Sequence, residues 1–272
     1  MRYLLGVTND IPAAIDTGRA NIARVYDYLL GGKDNYAADR ELAEELLAQQ
    51  PGIRQNARAN RAFMQRVVRT VAEAGVDQFL DLGTGLPTGE NVHQVAQSVN
   101  PDARVVYVDN DEVVAAHSRA LLASDHGAEF MLGDLREPGQ IVDSAQCALD
   151  LSRPVALLII SMLHFVPDDG QARAIVATLT EPLAAGSYLA ISHWQYHAAD
   201  EDLAKRYSGA VVAIARRTRE QIGGLLPAGW EPVEPGLAPV TAWRPAVAGL
   251  EPGSVSGSSQ TGQFVGAVVR KP

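Results

Sequence analysis

Short apolar runs alternate with longer helical patterns along most of the chain. The candidate strands are short runs of mainly apolar residues, and they span 78–82, 104–108, 129–132, 155–160 and 187–192. The run 155–160 is apolar throughout, as expected of a central strand that is buried on both faces. Because strands that alternate with helices form parallel βαβ units with right-handed crossovers, the pattern predicts an α/β fold around a mostly parallel sheet.

Three helical patterns precede this alternation. The first runs from a cap at Asp16 or Thr17 to about Leu30. The second is stopped by Pro51, and the third ends near Ala74. The three helices have no evident core of their own, so we expect them to pack over the carboxyl edge of the sheet as a lid.

The chain is predicted to form one domain, with a helical lid over residues 1–75 and an α/β core over residues 76–272. In the C-terminal part of this core, residues 200–223 are predicted to form a helix, and 230–240 and 263–270 are predicted to form two strands. Between the strands, residues 245–262 are rich in Gly, Ser and Pro and are predicted to form a mobile loop.

Composition narrows the class of protein. The 272 residues are 47% hydrophobic, which is ample for a packed core. A net charge of −9 disfavours an extended phosphate-binding surface, so we expect no nucleic-acid partner. The single Cys147 cannot form an internal disulfide, and no Cys/His spacing predicts a metal site. No signal-peptide pattern or bilayer-length apolar run is present, so we expect a cytoplasmic protein without membrane association.

A glycine-rich turn after the first strand is the first candidate for chemistry. The sequence Asp81-Leu-Gly83-Thr84-Gly85 ends that strand, and the second strand ends in Asp109. Glycines let the backbone turn tightly and pass close to a ligand. In a parallel sheet such a unit forms a nucleotide pocket at the carboxyl ends of the strands. Asp109 is then placed to accept hydrogen bonds from both hydroxyls of a ribose.

The glycine spacing does not match a dinucleotide site. The fingerprint G-x-G-x-x-G requires a third glycine where this chain has Thr88, and Gly89 comes one residue late. Pro87 stands where the backbone should approach the ligand closely. Asp81 would repel a diphosphate but could orient an ammonium group. A ligand that combines a ribose with a cationic amino-acid tail fits better, and S-adenosylmethionine is such a ligand.

Further stretches extend this motif into a family resemblance. The glycine turn, Asp109 and Gly133-Asp134-Leu135 are similar to the S-adenosylmethionine-binding motifs of class I methyltransferases. The run ARVYDYLLGGKDNY at 23–36 resembles the actinobacterial S-adenosyl methyltransferase family, long catalogued as a domain of unknown function. The same resemblance extends to the WRP sequence at 243–245 and the RKP ending at 270–272, so it covers nearly the whole chain.

The resemblance implies a fold, a cofactor and a set of contacts. The fold is the Rossmann-like class I methyltransferase fold, a seven-stranded sheet of order 3-2-1-4-5-7-6 with helices on both faces and an antiparallel hairpin at one edge. The cofactor is S-adenosyl-L-methionine. The residues expected to contact it in the core are Asp81, Gly83, Thr84, Gly85, Asp109, Asn110, Gly133, Asp134, Leu135, Ser161 and Met162. In the N-terminal run they are Tyr28 and Asn35.

One of these stretches has a simpler explanation as well. Gly133-Asp134-Leu135 could be an ordinary Gly-Asp turn. The resemblance implies instead that the Asp134 carboxylate accepts from the exocyclic amine of adenine while a neighbouring backbone N–H serves a ring nitrogen. Ser161 and Met162 leave the central strand where ligands bind in open α/β sheets, so we expect them at the methionine end of the cofactor.

Two histidines are candidate catalytic bases. His164 follows the central strand, and the ordinary pKa of histidine suits proton transfer near neutrality. A histidine satisfied by loop carbonyls explains this residue equally well. His193 is the second candidate. With Trp194, Tyr196 and His197 it either lines an acceptor pocket or packs against the lid.

The sequence therefore predicts an S-adenosylmethionine-dependent methyltransferase that acts on a small-molecule acceptor by in-line methyl transfer. A non-catalytic S-adenosylmethionine-binding sensor or partner module fits the same residues, because cofactor motifs report binding rather than chemistry. A nicotinamide-dependent oxidoreductase is a third alternative, and Asp81 and the displaced Gly89 count against it. A nucleic-acid methyltransferase is disfavoured by the acidic charge.

Overall fold

One mixed sheet forms the centre of the described part of the chain. A computed structural model describes residues 16–87, 89–122, 126–196, 214–244 and 263–272. The strands are β1 Gln78–Leu82, β2 Arg104–Asp109, β3 Ala128–Leu132, β4 Ala156–Ile160, β5 Tyr188–Gln195, β6 Glu231–Pro232, β7 Ala238–Pro239 and β8 Gln263–Arg270. All five strands predicted for the parallel part are present. β5 continues to Gln195 instead of ending at Ser192, so His193 and Trp194 lie on the strand rather than after it.

The strand order confirms the topology that the resemblance implied. The order is β3-β2-β1-β4-β5-β8-β6, and β7 also pairs with β8. β1 to β5 run parallel, whereas β8 is antiparallel to β5, β6 and β7. The predicted sixth strand is split into the two short strands β6 and β7. Prolines interrupt this segment because they cannot donate to a strand ladder, and they are Pro232, Pro235 and Pro239.

Eight α-helices and one 3₁₀ turn are present in the described ranges. The helices are α1 Ile22–Leu30, α2 Ala37–Gln49, α3 Ile53–Glu73, α4 Val92–Val99, α5 Glu112–Leu122, α6 Pro138–Ala145, α7 Asp169–Thr180 and α8 Arg219–Gly223. The 3₁₀ turn spans Leu163–Phe165. The predicted cap of α1 at Asp16 or Thr17 is wrong. Asn21 caps this helix, because its Oδ1 accepts from the backbone N–H groups of Ala23 and Arg24 at 2.8 and 3.2 Å.

Helices cover both faces of the sheet, and β4 shows the alternation that this requires. Leu157 and Ile159 belong to the apolar cluster that includes residues of α6 and α7. Ala156 and Leu158 belong to the cluster that includes residues of α3 and α4. Ala156, Leu157, Leu158 and Ile159 are all buried, which explains why this stretch is apolar throughout.

The N-terminal helices differ from the prediction in one respect. α1, α2 and the first turns of α3 surround a cluster of their own, so the expectation that they lack a core is wrong. The buried members of this cluster are Val25, Leu29, Leu42, Ala43, Leu46, Ile53 and Ala57. A buried ion pair from Arg24 Nε to Asp39 Oδ2, 2.7 Å long, joins α1 to α2. The same Asp39 carboxylate accepts the backbone N–H groups of Asn21 and Tyr36, so it fixes the starts of both helices.

The second half of α3 is a layer of the core rather than part of a lid. Phe63 meets Trp243 edge to face, with ring centroids 5.4 Å apart. A Cβ at Gly266 on β8 would lie only 2.5 Å from the Phe63 ring, so this ring can pack against the sheet only because residue 266 has no side chain. Arg66 donates from Nε to the Trp243 carbonyl at 2.9 Å. The WRP sequence of the C-terminal part therefore has a packing role.

Two predictions concern residues outside the described ranges. The predicted loop at 245–262 lies wholly outside them, and most of the predicted helix at 200–223 does too. Of the predicted helix, the structure describes residues 214–223: the prediction is wrong for 214–218, which are not helical, and α8 forms the remainder after its cap at Thr218. Among the described residues, no helix combines the length and the apolar character that crossing a bilayer requires.

Candidate functional site

A cavity of about 390 Å³ lies at the carboxyl ends of the parallel strands, beneath α1 and the first half of α3. All eleven core residues predicted to contact the cofactor line it: Asp81, Gly83, Thr84, Gly85, Asp109, Asn110, Gly133, Asp134, Leu135, Ser161 and Met162. His164 lines it as well. The position matches the general rule that ligands of open α/β sheets bind outside the carboxyl ends of the strands.

The glycine turn after β1 has the backbone conformation that its sequence predicts. Gly83 and Gly85 have φ angles of +71° and +65°, a region that favours glycine. The Gly83 N–H donates to the Val108 carbonyl at 2.7 Å, which ties the turn to the end of β2. A Cβ on Gly83 would lie 2.1 Å from the sulfur of Met162, whereas a Cβ on Gly85 would meet nothing within 4 Å. Gly83 is therefore needed for packing, and Gly85 leaves open space beside the turn.

Asp109 binds the turn that it was predicted to accompany. Its Oδ2 accepts from the Gly85 N–H at 2.9 Å, and its Oδ1 accepts from the Asp111 N–H at 3.0 Å. Burial raises the pKa of Asp109, and the hydrogen bond from Gly85 acts in the opposite direction. The carboxylate therefore faces the cavity at the tip of β2, next to the glycines.

Asp111 joins the sheet to the N-terminal helices. Its Oδ1 accepts from the backbone N–H groups of Val113 and Val114 at 2.7 and 3.3 Å, so it caps α5. Its Oδ2 accepts from the side-chain amide of Asn21, the cap of α1. One carboxylate thus connects α1 with the edge of the cavity, which places the helix over the glycine turn.

Asp81 is the buried acid beside the glycine turn. Burial raises its pKa to about 6, although Arg61 and a hydrogen bond with Thr84 both lower it. Asp81 is therefore ionised at neutral pH and protonated in mild acid. Arg61 also lines the cavity, from α3, so sequence reasoning missed a cation that balances part of this charge.

Asp134 lies at the cavity but has a partner already. The Arg136 side chain donates to both of its oxygens, with Nε at 2.9 Å from Oδ1 and 3.1 Å from Oδ2. This pair lowers the pKa of Asp134. The predicted free acceptor for adenine is thus a carboxylate shared with a largely exposed guanidinium. Sequence reasoning missed this partner, although an acid and an arginine two positions apart in a turn were visible.

Ser161 and Met162 shape the floor of the cavity. Ser161 has a φ of +62°, an uncommon conformation for a residue other than glycine. Its N–H donates to the carbonyl and to the hydroxyl of Ser192 at 3.1 and 3.0 Å. The chain therefore turns sharply at the end of β4, which brings Met162 against Gly83. Strained backbone of this kind is concentrated at functional sites.

His164 lines the cavity from the 3₁₀ turn. The side chain is buried, and within the described part of the chain its Nδ1 has no hydrogen-bond partner. Burial, followed by the proximity of His193 and Arg217, holds its pKa well below the ordinary value of 6.5. The predicted alternative, a histidine satisfied by loop carbonyls, therefore does not describe this nitrogen. His164 is a neutral imidazole at the cavity wall.

His193 does not line the cavity, and its two ring nitrogens are both engaged. Its Nδ1 lies 2.7 Å from the Trp194 carbonyl, and its Nε2 lies 3.1 Å from Nη1 of Arg217. A guanidinium only donates, so Nε2 is the acceptor and the proton is on Nδ1. Burial lowers the pKa of His193 to about 4. Its predicted role as a second base disagrees with this geometry, because the free lone pair is already used.

Arg217 is the residue that sequence reasoning missed most completely. It is buried, and its guanidinium donates to the carbonyls of Leu163 and Val166 at 2.8 and 2.7 Å. It also donates to His193 and, at 2.8 Å, to Asp169. Arg217 therefore holds the turn that carries His164. No pattern in the sequence indicates that this arginine is buried.

The cavity beyond His164 has aromatic walls. We call this part the aromatic end, and it consists of His164, Phe165, Trp194, Tyr196, Ala215, Arg216 and Phe264. The segment 214–218 closes it. The Ala215 N–H donates to the His164 carbonyl at 2.7 Å, and the Tyr196 N–H donates to the Arg217 carbonyl at 3.0 Å. Trp194 and Tyr196 thus line the cavity, whereas His197 lies outside the described ranges.

The N-terminal run lines the cavity with other residues than those predicted. Tyr28 and Asn35 are not among the lining residues. The Tyr28 hydroxyl donates to Glu44 on α2 at 2.6 Å. Asn35 donates to the buried Asp27 carboxylate at 2.8 Å. A Cβ on Gly32 would lie 1.9 Å from that carboxylate, so the Gly-Gly and Asn of this run form a compact turn around Asp27. The residues of α1 and α3 that line the cavity with polar groups are Asn21, Tyr26, Asp27, Asn60 and Arg61.

The lining fits an adenosyl sulfonium better than a diphosphate. The cavity is lined by five aspartates and three arginines, and four of the aspartates lie at the glycine turn or just after neighbouring strands, while Asp27 lies on α1. The open space at Gly85 lets a ligand approach the backbone where any side chain would intrude. Asp81 and Asp109 supply acceptors for an ammonium group and for hydroxyls. In the described ranges, no group of three or more His, Cys, Asp and Glu side chains could hold a metal ion.

Comparisons with known proteins agree with this geometry. The profile of the S-adenosyl methyltransferase family matches residues 8–272. A crystal structure from Thermobifida fusca YX, named provisionally as a methyltransferase, is 40% identical, covers 97% of this chain and 99% of its own, and has a TM-score of 0.87. The crystal structure of a DUF574 family protein from Streptomyces avermitilis MA-4680 is 41% identical, covers 94% of this chain and 99% of its own, and has a TM-score of 0.87. A comparison with curated proteins gave no match.

The family profile matches nearly the whole chain, and two relatives of the same fold are about 40% identical to it. The core residues predicted to contact the cofactor line one cavity. The chain belongs to the S-adenosyl methyltransferase family and has its Rossmann-like methyltransferase fold, with S-adenosylmethionine as the cofactor.

Proposed function

We propose that this protein methylates a small-molecule acceptor that binds at the aromatic end of the cavity, with His164 receiving the acceptor's proton. The observation that carries the proposal is that the acids of the glycine turn and the neutral imidazole of His164 line the same cavity. A methyl transfer to a hydroxyl or an amine needs both a cofactor site and a place for the released proton. Residues suited to each requirement line one cavity.

The glycine turn and its acids would hold the cofactor. Asp81, ionised above about pH 6, is the group that would attract the ammonium of the methionine tail. Asp109 would accept from the ribose hydroxyls, and Leu135 is an apolar lining residue for the adenine side. When bound, S-adenosylmethionine supplies a methyl group that its sulfonium has already activated. The protein's task is therefore to align, to exclude water and to remove a proton.

His164 is suited to accept a hydrogen bond from the acceptor. Its low pKa keeps the imidazole neutral throughout the neutral range, so the lone pair is available without competition from bulk protons. The same low pKa makes the free imidazole a weak base. An acceptor oxygen that gains negative charge beside it would raise its affinity for the proton, because an opposite charge nearby favours the charged form. His193 cannot replace it while its Nε2 accepts from Arg217.

A small acceptor is supported by size and charge. The cavity volume of about 390 Å³ is in the usual range for small-molecule sites and must also accommodate the cofactor. The chain carries a net charge of −9, which disfavours a long phosphate backbone as the acceptor. Most of the residues that line the aromatic end are aromatic, and Arg216 is the one arginine or lysine among them.

A turnover assay with matched histidine variants tests this proposal. The protein is incubated with S-adenosylmethionine and a panel of phenols, amines and carboxylic acids, and release of S-adenosylhomocysteine is measured. With an acceptor that is turned over, His164→Ala should lower kcat by about 100-fold or more, as expected for loss of a general base. Its Kd for S-adenosylmethionine should change little. His126→Ala removes an exposed histidine outside the cavity and should leave both values unchanged.

Unchanged turnover by His164→Ala across the pH range would contradict the role of this residue. The low pKa of His164 also favours a second function, a non-catalytic S-adenosylmethionine-binding sensor, because a weak base is poorly suited to proton removal. Saturable cofactor binding without release of S-adenosylhomocysteine for any member of the panel would support the sensor.

A further inference from the structure

The aromatic end contains a continuous series of rings. The His164 and Phe165 ring centroids are 4.2 Å apart, those of His164 and Phe264 are 6.0 Å apart, and those of Trp194 and Phe264 are 5.2 Å apart. The Trp194 and Phe264 rings are perpendicular, at 88°. All four rings line the same cavity. Aromatic walls favour a flat aromatic guest, because ring pairs gain energy from edge-to-face and offset contacts beyond the burial of area.

These rings are held by rigid elements. Trp194 on β5 pairs directly with Phe264 on β8, so the two side chains share a position in an antiparallel ladder. His164 and Phe165 are fixed by the 3₁₀ turn that Arg217 binds. A site of this kind is formed before the ligand arrives, which favours guests of matching shape.

The aromatic end includes one guanidinium among its described residues. Arg216 contributes a guanidinium, which lies over the Tyr196 ring with its central carbon 5.7 Å from the ring centroid. The described residues named for this end include a guanidinium and no acid, whereas five aspartates line the rest of the cavity. A guanidinium paired with an aromatic ring favours a planar anion such as an aromatic carboxylate.

His164 adds a third requirement. Its imidazole is neutral and lines the cavity, so one ring nitrogen is an acceptor and the other is a donor. A hydroxyl can both donate and accept, so a guest that places its hydroxyl beside this ring gains a hydrogen bond with whichever nitrogen it reaches.

We infer that the aromatic end binds a planar aromatic acid that carries a hydroxyl group, with the ring between Trp194, Phe165 and Phe264, the hydroxyl at His164 and the acid near Arg216. This inference names the class of acceptor and rests on the proposed function.

Binding to the protein saturated with S-adenosylhomocysteine tests the inference without turnover. The probe is 6-hydroxy-2-naphthoate, and its matched controls are 2-naphthoate without the hydroxyl, 2-naphthol without the acid and a saturated hydroxycyclohexanecarboxylate without the aromatic ring. Titration calorimetry should rank the hydroxynaphthoate first. Each control should bind about tenfold more weakly or worse, the effect of one lost hydrogen bond, ion pair or ring contact in a partly enclosed site.

Matched variants locate the contacts. Arg216→Gln should weaken the binding of hydroxynaphthoate about tenfold and leave the affinity for 2-naphthol unchanged, because the guanidinium binds only the carboxylate. Trp194→Leu should remove most of the preference for aromatic over saturated probes. Arg219→Gln removes an exposed arginine outside the cavity and should change neither probe. An unchanged Kd for S-adenosylhomocysteine shows that each variant is folded.

The outcomes separate this inference from the proposed function. If the wild-type protein binds S-adenosylhomocysteine but binds the saturated acid as well as the aromatic one, the acceptor class is wrong and the methyltransferase proposal stands. If Arg216→Gln weakens 2-naphthol as much as the acid, the assigned anion contact is wrong. If S-adenosylhomocysteine itself does not bind, both proposals fail.

Discussion

The two ends of the cavity are built in different ways. The glycine end consists of consecutive residues at the tips of β1 and β2, held by backbone hydrogen bonds such as Gly83 N–H to the Val108 carbonyl. The aromatic end consists of segments far apart in the sequence. Arg217 connects them through hydrogen bonds to partners 24, 48, 51 and 54 positions away.

This difference decides how visible each end is in the sequence. A turn that requires positive φ leaves glycines at fixed spacing, so the glycine end can be recognised from a short motif. A site made of side chains from separate elements leaves no local pattern. The glycine end therefore indicates the cofactor, while the acceptor is determined by residues that only the fold brings together.

The largest expected effect is at the aromatic end. Arg217→Met should reduce the free energy of unfolding by about 4 kcal/mol, because it leaves buried carbonyls and His193 without their donor. Arg173→Met, on the exposed face of α7, is the matched control and should change it by less than about 0.5 kcal/mol. Urea unfolding followed by circular dichroism measures both. Equal losses in the two variants would show that Arg217 does not hold this end together.

The glycine end should respond next most strongly, and unequally at its two glycines. Gly83→Ala should cost about 3 kcal/mol of unfolding free energy, because a Cβ collides with Met162 in addition to the strain of positive φ. Gly85→Ala, with the same sign of φ but open space, should cost about 1 kcal/mol. The same urea titration compares the two. If Gly85→Ala is the more harmful substitution, the packing explanation is incorrect.

A pH titration sharpens the electrostatic side of the comparison. Asp81 has a pKa of about 6, so it loses its charge as the pH falls through that value. The affinity for S-adenosylmethionine should therefore be constant near neutral pH and weaken about tenfold by roughly pH 5, where about a tenth of Asp81 stays ionised. Calorimetry on Asp81→Asn should give weaker binding with a flat profile. A variant that keeps the full pH dependence would assign the titration to another group.

The smallest effect is expected at the adenine side. Arg136→Ala should tighten S-adenosylmethionine binding by about twofold, because it frees the Asp134 carboxylate from an exposed ion pair worth about 0.5 kcal/mol. Fluorescence titration can resolve this change. A loss of more than about tenfold would mean that Arg136 itself holds the cofactor.

The sequence allowed the sheet and the glycine end to be predicted because hydrophobic runs and glycine spacing are local signals. β4 is apolar throughout since both of its faces are buried, and Asp109 terminates β2 as its position implied. The roles inside the N-terminal run were not predictable in the same way. Asn35 binds Asp27 and Gly32 makes room for that carboxylate, so residues that looked like ligand contacts are parts of a turn.

The histidines show the same limit. His164 and His193 are similar in sequence terms, since each follows or ends a buried strand. Only the fold shows that the His164 ring lines the cavity while His193 lies behind it and accepts from Arg217. The difference depends on a residue 24 positions beyond His193, which no local pattern connects to it.

A crystal structure of the protein with S-adenosylhomocysteine tests the central claim most directly. The account predicts ligand density against Gly83 and Gly85, with the ribose at Asp109 and the sulfur facing the part of the cavity that His164 lines. Density that fills the aromatic end instead, or a cavity that stays empty at saturating ligand, would contradict the division of the cavity into a cofactor end and an acceptor end.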